Sequence, residues 1–312
     1  MFFPHFKEKA LKYFIWSLLI VFSLSLAYGQ MESTRERVVS LQKMIDTTHA
    51  GWKAGETSMS RLSTIEFQQR LGLVIGEYAD TDPKVQQGIM EAREALPSYV
   101  NWKEKGFVTP IKDQGHCGSC YAFASCALLE SFYMIHYQKT LDLSEQYFMM
   151  KTKVGDLFGG CKGNNLWVCA AACIAFGAPT EECCPYKAVE ESCPAPCDKN
   201  YKAFCLATGQ IEGFQQVLAT HGPIVVGFMV YEDFRDYKSG VYKYVHGKFL
   251  GGHAVLIVGY NKAKGYWIVK NRWGNDWGEP CDGKTGEAGY FRIAFGQCLI
   301  ETPFMGPFYA TK

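Results

Sequence analysis

All thirteen cysteines of this 312-residue chain fall between Cys117 and Cys298, and the first 116 residues have none. A Cys-free front on a Cys-dense body is the pattern of a disulfide-stapled domain made in an oxidising compartment. An odd total leaves at least one thiol unpaired. The front carries a matching address. Lys7, Lys9 and Lys12 precede an apolar run over 13–26, and Ala27-Tyr28-Gly29 offers small residues where signal peptidase reads. Residues 1–29 are therefore expected to be a secretory signal peptide. The run is shorter than the ~20 apolar residues of a spanning helix, so no membrane attachment is expected once it is cut.

A chain of this length suggests about two domains, and its 48% hydrophobic share is that of a globular protein. Basic and acidic residues number 32 and 31, so charge gives no hint of a nucleic acid or anionic surface as partner. Residues 30–95 are polar and are expected to be helical around 34–46 and 64–71. An extended stretch is expected over 101–111, followed by a helix-rich region to about 180. Within it Ser144 suits a helix cap, and the Ala-rich run 166–176 reads as a buried helix. Residues 177–205 form a loop rich in Pro and Cys. From 211 onward short β-type runs dominate, at 223–230, 240–244, 253–260, 266–270 and 289–294, separated by turn residues. The order predicts an α+β body: a helical lobe over about 112–206, then a β lobe over about 207–302, with a cleft between them.

The clearest chemical signal is Gln114-Gly115-His116-Cys117-Gly118-Ser119-Cys120. Up to Ser119 it reads as a loop. Beyond it Ala122, Phe123, Leu128, Leu129 and Phe132 recur at helical spacing, which predicts a helix over 120–137. Gly118 and Ser119 suit the cap, which puts Cys120 in the first turn. Free N–H groups and the helix dipole favour an anion there, and the thiolate is the reactive form of cysteine. The same Cys-x-x-Cys spacing fits a redox pair, half a zinc site or two half-cystines. No strand precedes it, as a redox motif would require. No second Cys-x-x-Cys or His-x-x-x-His completes four zinc ligands, so no metal site is expected.

A cysteine nucleophile needs a base. Of seven histidines, His253 heads the apolar run 254–258 behind Gly251 and Gly252, where a ring can open onto a cleft. Taken alone, it equally fits a core histidine satisfied by backbone. Asn271 follows 18 residues later, with a neutral amide able to orient an imidazole without opposing its charge. Gln114 offers a side-chain amide to an oxyanion, with the Cys120 N–H as second donor.

Together these stretches resemble the papain-like cysteine proteases. The likeness is carried by Gln114 to Cys120, by Leu143-Ser144-Glu145-Gln146, by Gly251 to Tyr260 and by Asn271-Arg272-Trp273-Gly274. The 133 residues from Cys120 to His253 fit the family's ~130–150. Tyr121 replaces the family's usual Trp. Arg272 replaces its usual Ser, a departure expected to stay on the flank of the site. The resemblance implies a papain-like two-lobe fold, with a helical left lobe, an antiparallel β-barrel-like right lobe and the active-site cleft between them. It implies an endopeptidase in which Cys120 attacks, His253 exchanges protons, Asn271 orients the ring and Gln114 holds the oxyanion. It also implies a Cys117–Cys161 disulfide, Trp273 as cover over His253 and Asn271, and substrate-binding positions at Gly163, Asn164 and Ala254. Asn164 stands where the family has a second glycine and is expected to put a side chain beside the binding wall. A further staple of the Cys184–Cys197 type is expected in the Pro-rich loop, with Cys126, Cys169 and Cys173 as candidates for free buried thiols.

Trp52-Lys53-Ala54-Gly55, with Leu71-Gly72 after it, resembles the short propeptide of cathepsin B-type enzymes. Residues 30–95 are therefore expected to be an inhibitory propeptide, lying in the cleft against the substrate direction and cut near 88–96, ahead of a peptidase domain over 96–312. Cathepsin B-type enzymes often trim dipeptides through paired histidines of an occluding loop. The matching stretch 183–205 has no histidine, so endopeptidase action without that mode is expected. Five positions after the last cysteine, where cathepsin B has an acidic residue at the base of the S2 pocket, stands Pro303, so an apolar P2 is expected. The implied partners are peptide and protein substrates, the chain's own propeptide and cystatin-type inhibitors, with no cofactor. The implied location is the secretory pathway, with release or retention in a lysosome or vacuole. The alternative is a catalytically weak or silent member that binds proteins through the same cleft.

Overall fold

The structure, a computed structural model, describes residues 33–75, 96–208 and 212–312. The signal peptide expected at 1–29, and all but the last residue of the cleavage region expected at 88–96, lie outside the described residues. Six helices are labelled in chain order: α1 (33–47), α2 (Thr64–Gln68), α3 (Cys120–Tyr137), α4 (Glu145–Lys151), α5 (Leu166–Ala175) and α6 (Glu212–Thr220). Nine strands follow the same rule: β1 (Trp52–Ala54), β2 (Tyr99–Asn101), β3 (Phe204–Ala207), β4 (Ile224–Tyr231), β5 (Tyr237–Tyr242), β6 (Phe249–Asn261), β7 (Tyr266–Lys270), β8 (Tyr290–Ala294) and β9 (Phe308–Thr311).

Two elements organise the rest. In α3 every residue from Cys120 to Phe132 is buried. Ala122, Ala124, Ser125 and Ala127 keep its surface small enough for α4, α5 and β6 to pack closely around it. It ends at Gln138, which adopts the left-handed conformation and donates its N–H to the Tyr133 carbonyl. Strand β6 is buried from Gly252 to Tyr260. Because both of its faces are covered, its sequence is continuously apolar instead of alternating. It pairs antiparallel with β4, β7 and β2.

The sheet runs in the order β1-β5-β8-β7-β6-β4-β9-β3, with β2 joined to β6. Among the described residues its two ends do not meet, so the barrel-like lobe is an open sheet, and β5 and β8 pair in parallel. The chain ends close it onto the body: β9 pairs with β3 and, at Val225, with β4.

Four local expectations need correction. After β2 the chain turns instead of continuing extended, because Asn101 Oδ1 accepts the N–H groups of Lys103 (3.1 Å) and Glu104 (3.3 Å). The region opening at 211 begins with a helix, α6, whose Phe214, Val217 and Leu218 are buried at helical spacing. Helix α5 is buried on one side only, since Trp167 and Ile174 are 52% and 40% exposed. In the Pro-rich loop Cys183 pairs with Cys197 and Cys184 with Cys193, the reverse choice of neighbouring cysteines from that expected. Cys120, Cys126, Cys169, Cys173, Cys205, Cys281 and Cys298 are free and buried.

Candidate active site

Cys120 is the first residue of α3, and its sulfur is free. The loop before it is clamped by the Cys117–Cys161 disulfide and by a bond from Gly118 N–H to the Cys161 carbonyl (3.1 Å). A Cβ on Gly118 would lie 2.5 Å from that carbonyl oxygen, so the close approach requires glycine. Ser119 occupies the cap position without capping. Its hydroxyl is 2.6 Å from the Tyr186 hydroxyl instead. Gln114 is buried, and its Nε2 donates to the carbonyls of Cys117 (2.7 Å) and Arg70 (2.9 Å).

Strand β6 brings His253 to the same place. Ala254 N–H donates to Cys120 Sγ at 3.4 Å, so the residue after His253 lies against the sulfur. On β7's far end, Asn271 Oδ1 is 2.8 Å from His253 Nε2. That bond leaves Nδ1 for proton exchange, and Nδ1 has no hydrogen-bond partner among the described residues. Trp273 lies over the imidazole, with ring centroids 4.7 Å apart and planes 31° from parallel, and Trp277 packs edge-on behind it.

Residues 70–75 run through this cleft. Gly72 N–H donates to Cys120 Sγ at 3.2 Å. Leu73 N–H reaches the Gly252 carbonyl (3.1 Å), Val74 N–H reaches the Asn164 carbonyl (3.1 Å), and Asn164 N–H reaches the Gly72 carbonyl (2.9 Å). Gly163 adopts φ +88°, and a Cβ there would lie 2.6 Å from the Gly72 carbonyl oxygen. The wall is therefore backbone. The Asn164 side chain turns away from the cleft: its Nδ2 donates to the Thr152 carbonyl and its Oδ1 accepts from Asn165 N–H. It does not narrow a subsite as expected. Ala254, expected to face substrate, is fully buried and spends its backbone on Cys120 and Arg272. Gly252, which the sequence offered only as a small flank to His253, supplies the wall's other carbonyl.

Leu73 fills an apolar pocket. A Cβ on Gly227 would lie 2.3 Å from Leu73 Cδ2 and 2.9 Å from Met305 Sδ. Met305 thus lies beside Leu73 at Gly227. Pro303 opens a short 3-10 turn, Pro303–Met305, which carries Met305 inward and leaves Phe304 73% exposed.

The segment is anchored well outside the cleft. Strand β1 pairs with β5, and Trp52 packs against Tyr242 and donates to the Lys243 carbonyl. Arg37 makes a two-bond contact with Asp236 (3.0 and 3.1 Å). Phe67 of α2 is fully buried with its ring edge-on to Trp273, and Arg70 pairs with Asp113 at 3.1 Å.

Burial governs the titration of the pair. It pushes the Cys120 thiol up, against opposing effects of Arg272 and of the Ala254, Gly72 and Tyr121 N–H groups. It holds His253 well below the usual histidine range, with Arg272 acting in the same direction. Under the segment burial therefore disfavours both charged forms, the thiolate and the imidazolium.

Residues 96–308 match the family model described as papain family cysteine protease. The chain is 30% identical to Cathepsin B-like CP2 of Giardia intestinalis, over 87% of its own length and 94% of that protein's. It is 33% identical to Thiol protease aleurain of Arabidopsis thaliana, over 80% and 70% of the two chains. Among solved structures, proCathepsin B S9 from Trypanosoma congolense superposes with a TM-score of 0.69 at 26% identity, covering 88% of this chain and 97% of that one.

Proposed function

This chain belongs to the papain family of cysteine proteases, and on that premise we propose a secretory zymogen of an endopeptidase in which residues 30–95 occupy and silence the cleft. One observation carries the assignment of roles. Gln114 Nε2 and Cys120 Sγ converge on a single stretch of peptide backbone, at 2.9 Å from the Arg70 carbonyl oxygen and 3.2 Å from Gly72 N. A nucleophile and an oxyanion donor need that placement around a scissile carbonyl.

The chemistry follows from these atoms. Cys120 thiolate adds to the carbonyl carbon of a substrate, and the carbonyl π pair moves onto oxygen. Gln114 Nε2 and the Cys120 N–H, which has no intrahelical acceptor at the first position of α3, hold that oxyanion. His253, oriented through Nε2 by Asn271, gives a proton to the departing amine as the C–N bond breaks. In the second half His253 takes a proton from water, the hydroxide displaces sulfur, and the free acid leaves. Trp273 keeps water from competing for the His253–Asn271 bond.

Substrates pair with the carbonyl and amide groups of Gly252 and Asn164, and an apolar P2 residue enters the pocket that Leu73 fills. The absence of histidine in 183–205 supports endopeptidase action without dipeptide trimming. In the test, full-length protein is incubated at mildly acidic pH and followed by mass spectrometry and by cleavage of a peptide library. Loss of residues up to about 95, abolished by Cys120→Ala, and best cleavage after apolar P2 are expected. A correctly processed protein that cleaves no peptide, or that prefers P2 arginine, refutes the respective part.

A further inference from the structure

The Ser-to-Arg departure at position 272 does not stay on the flank. Arg272 is 4% exposed, and its guanidinium turns inward. Nη1 donates to the carbonyls of Cys120 (3.1 Å) and Ala254, and Nη2 lies 3.5 Å from the Lys270 carbonyl. One group thus bonds the first residue of the helix that carries the sulfur, the strand that carries His253 and the strand that leads to Asn271. We propose, building on the protease reading, that Arg272 is a positioning residue for Cys120, tying α3 to the two strands and presenting the positive charge that the sulfur faces as an anion.

The case rests first on charge. Among the described residues no carboxylate lies within ion-pair distance of Arg272. The other charged groups behind the site are Lys112 before α3, Glu130 of α3, Glu145 of α4 and Lys270 of β7. Lys112 is 2.7 Å from Glu145 and 3.4 Å from Glu130, with the exposed Asp142 meeting it at the rim. Lys112 thus takes both buried carboxylates, Lys270 is held instead by the Thr109 hydroxyl at 3.0 Å, and the guanidinium has carbonyls but no carboxylate as its partners. The cavity they enclose, about 10 Å³, holds at most one water. A buried cation without an anion is costly, and Cys120 is the group whose ionised form repays it. Burial lowers the guanidinium to about 10, while Cys120 foremost and Glu145 after it hold it up; Arg272 in turn is foremost in holding the thiol down. The remaining titratable neighbours, Tyr121, Cys169 of α5 and Tyr186, have their acidities suppressed by burial and are neutral at pH 7.

This charge has a signature that packing lacks. It favours the thiolate and disfavours the imidazolium, so it lowers both limbs of the pH–rate profile. Removing it raises both. At an effective dielectric near 20, a unit charge roughly 10 Å from a titrating group shifts it by roughly one pH unit. The experiment starts from full-length protein processed at acidic pH, as wild type, Arg272→Ser, Arg272→Gln and Arg272→Lys. It measures the pH dependence of kcat/KM for a peptide and of Cys120 alkylation by iodoacetamide. Both limbs are expected to rise by about one pH unit in Arg272→Ser and Arg272→Gln, with a ~10-fold loss of alkylation rate on the acid side. Arg272→Lys should restore the limbs but not the full kcat, because an ammonium cannot span three carbonyls. Should Arg272→Ser fail to fold, Arg272→Gln against Arg272→Lys decides. Unmoved limbs in a folded, neutral variant overturn the proposal even if activity falls. Wild-type protein that alkylates with these limbs yet cleaves no peptide would sink the protease reading alone.

Discussion

Gly72 is the residue on which closure of the cleft depends most sharply. A Cβ at this position would lie 1.7 Å from the Gly118 carbonyl oxygen, 2.3 Å from its carbon and 2.8 Å from the Gly118 Cα. All three are backbone atoms of the loop clamped by Cys117–Cys161, so the loop cannot yield and the segment must. Gly72→Ala therefore forfeits three backbone bonds across the cleft, made by Leu73, Val74 and Asn164 N–H, and the Gly72 N–H bond to Cys120 Sγ, each worth about 1 kcal/mol net. It also withdraws Leu73 from its pocket, about 2 kcal/mol more. The total of about 6 kcal/mol corresponds to roughly four decades in occupancy of the cleft. The assay is iodoacetamide labelling of Cys120 in unprocessed chain, with intact mass confirming that residues 30–95 remain attached. Wild type should label slowly and Gly72→Ala orders of magnitude faster. Gly55→Ala is the control, because its Cβ would meet only the flexible Lys238 side chain at 3.0–3.5 Å. Equal protection of Cys120 in Gly72→Ala and wild type would show that the segment is not held by this approach, and the reasoning would fall.

Three further outcomes are expected. Phe67→Ala removes a fully buried ring from Trp273; the loss of about 3 kcal/mol should speed labelling of Cys120 in unprocessed chain ~100-fold, and no change would place the segment's hold elsewhere. Cys117→Ser with Cys161→Ser opens a link spanning 44 residues; the closed-loop estimate is about 4 kcal/mol, read as a lowered Tm by calorimetry. Asp233 is buried, which raises its carboxyl to about 6 despite bonds from Tyr242 and the Val245 and His246 N–H groups. Its folded value lies above its unfolded one, so the folded state takes up the proton first, and this group's contribution to stability grows as pH falls from about 6 to 4. Asp233→Asn should raise Tm more at pH 7 than at pH 5, and an equal change at both would exclude this coupling.

Where one segment's chemistry decides its own structure, the sequence was a sufficient guide. The helix from Cys120 follows from its apolar spacing, and β6 and β7 follow from runs with turn residues on both sides. The gathering of Gln114, Cys120, His253 and Asn271 was legible because each stands beside a recognisable flank: Cys120 at the start of α3, Asn271 just past β7, His253 behind Gly251 and Gly252, and Gln114 in the loop that leads to Cys120. Features that depend on which way a side chain turns were not legible. Asn164 looks like an obstruction in sequence, yet its amide finds the Thr152 carbonyl behind the wall. Arg272 looks peripheral, yet three carbonyls draw it inward. Adjacent Cys183 and Cys184 are equivalent in sequence, and only the path of the loop assigns their partners. The short strands β1, β3 and β9 have three or four residues each, too few to show a period, and they exist because a partner strand is offered.

In the proposed zymogen, silence of the closed form would have two separable physical sources. The segment blocks approach to Cys120, and by excluding water it also penalises both charged forms that the reaction needs. Burial pushes the thiol up and the imidazole down, so both charged forms of the pair are disfavoured in the closed form. Removing residues 70–75 is expected to readmit water and to relieve the burial part of both shifts. Arg272 does not leave with the segment, because its acceptors are the carbonyls of Cys120, Ala254 and Lys270 in the body itself. On the two proposals together, the change in ionisation on activation would be a solvent effect governed by residues 70–75, whereas the setting reached after activation would be an electrostatic one governed by position 272.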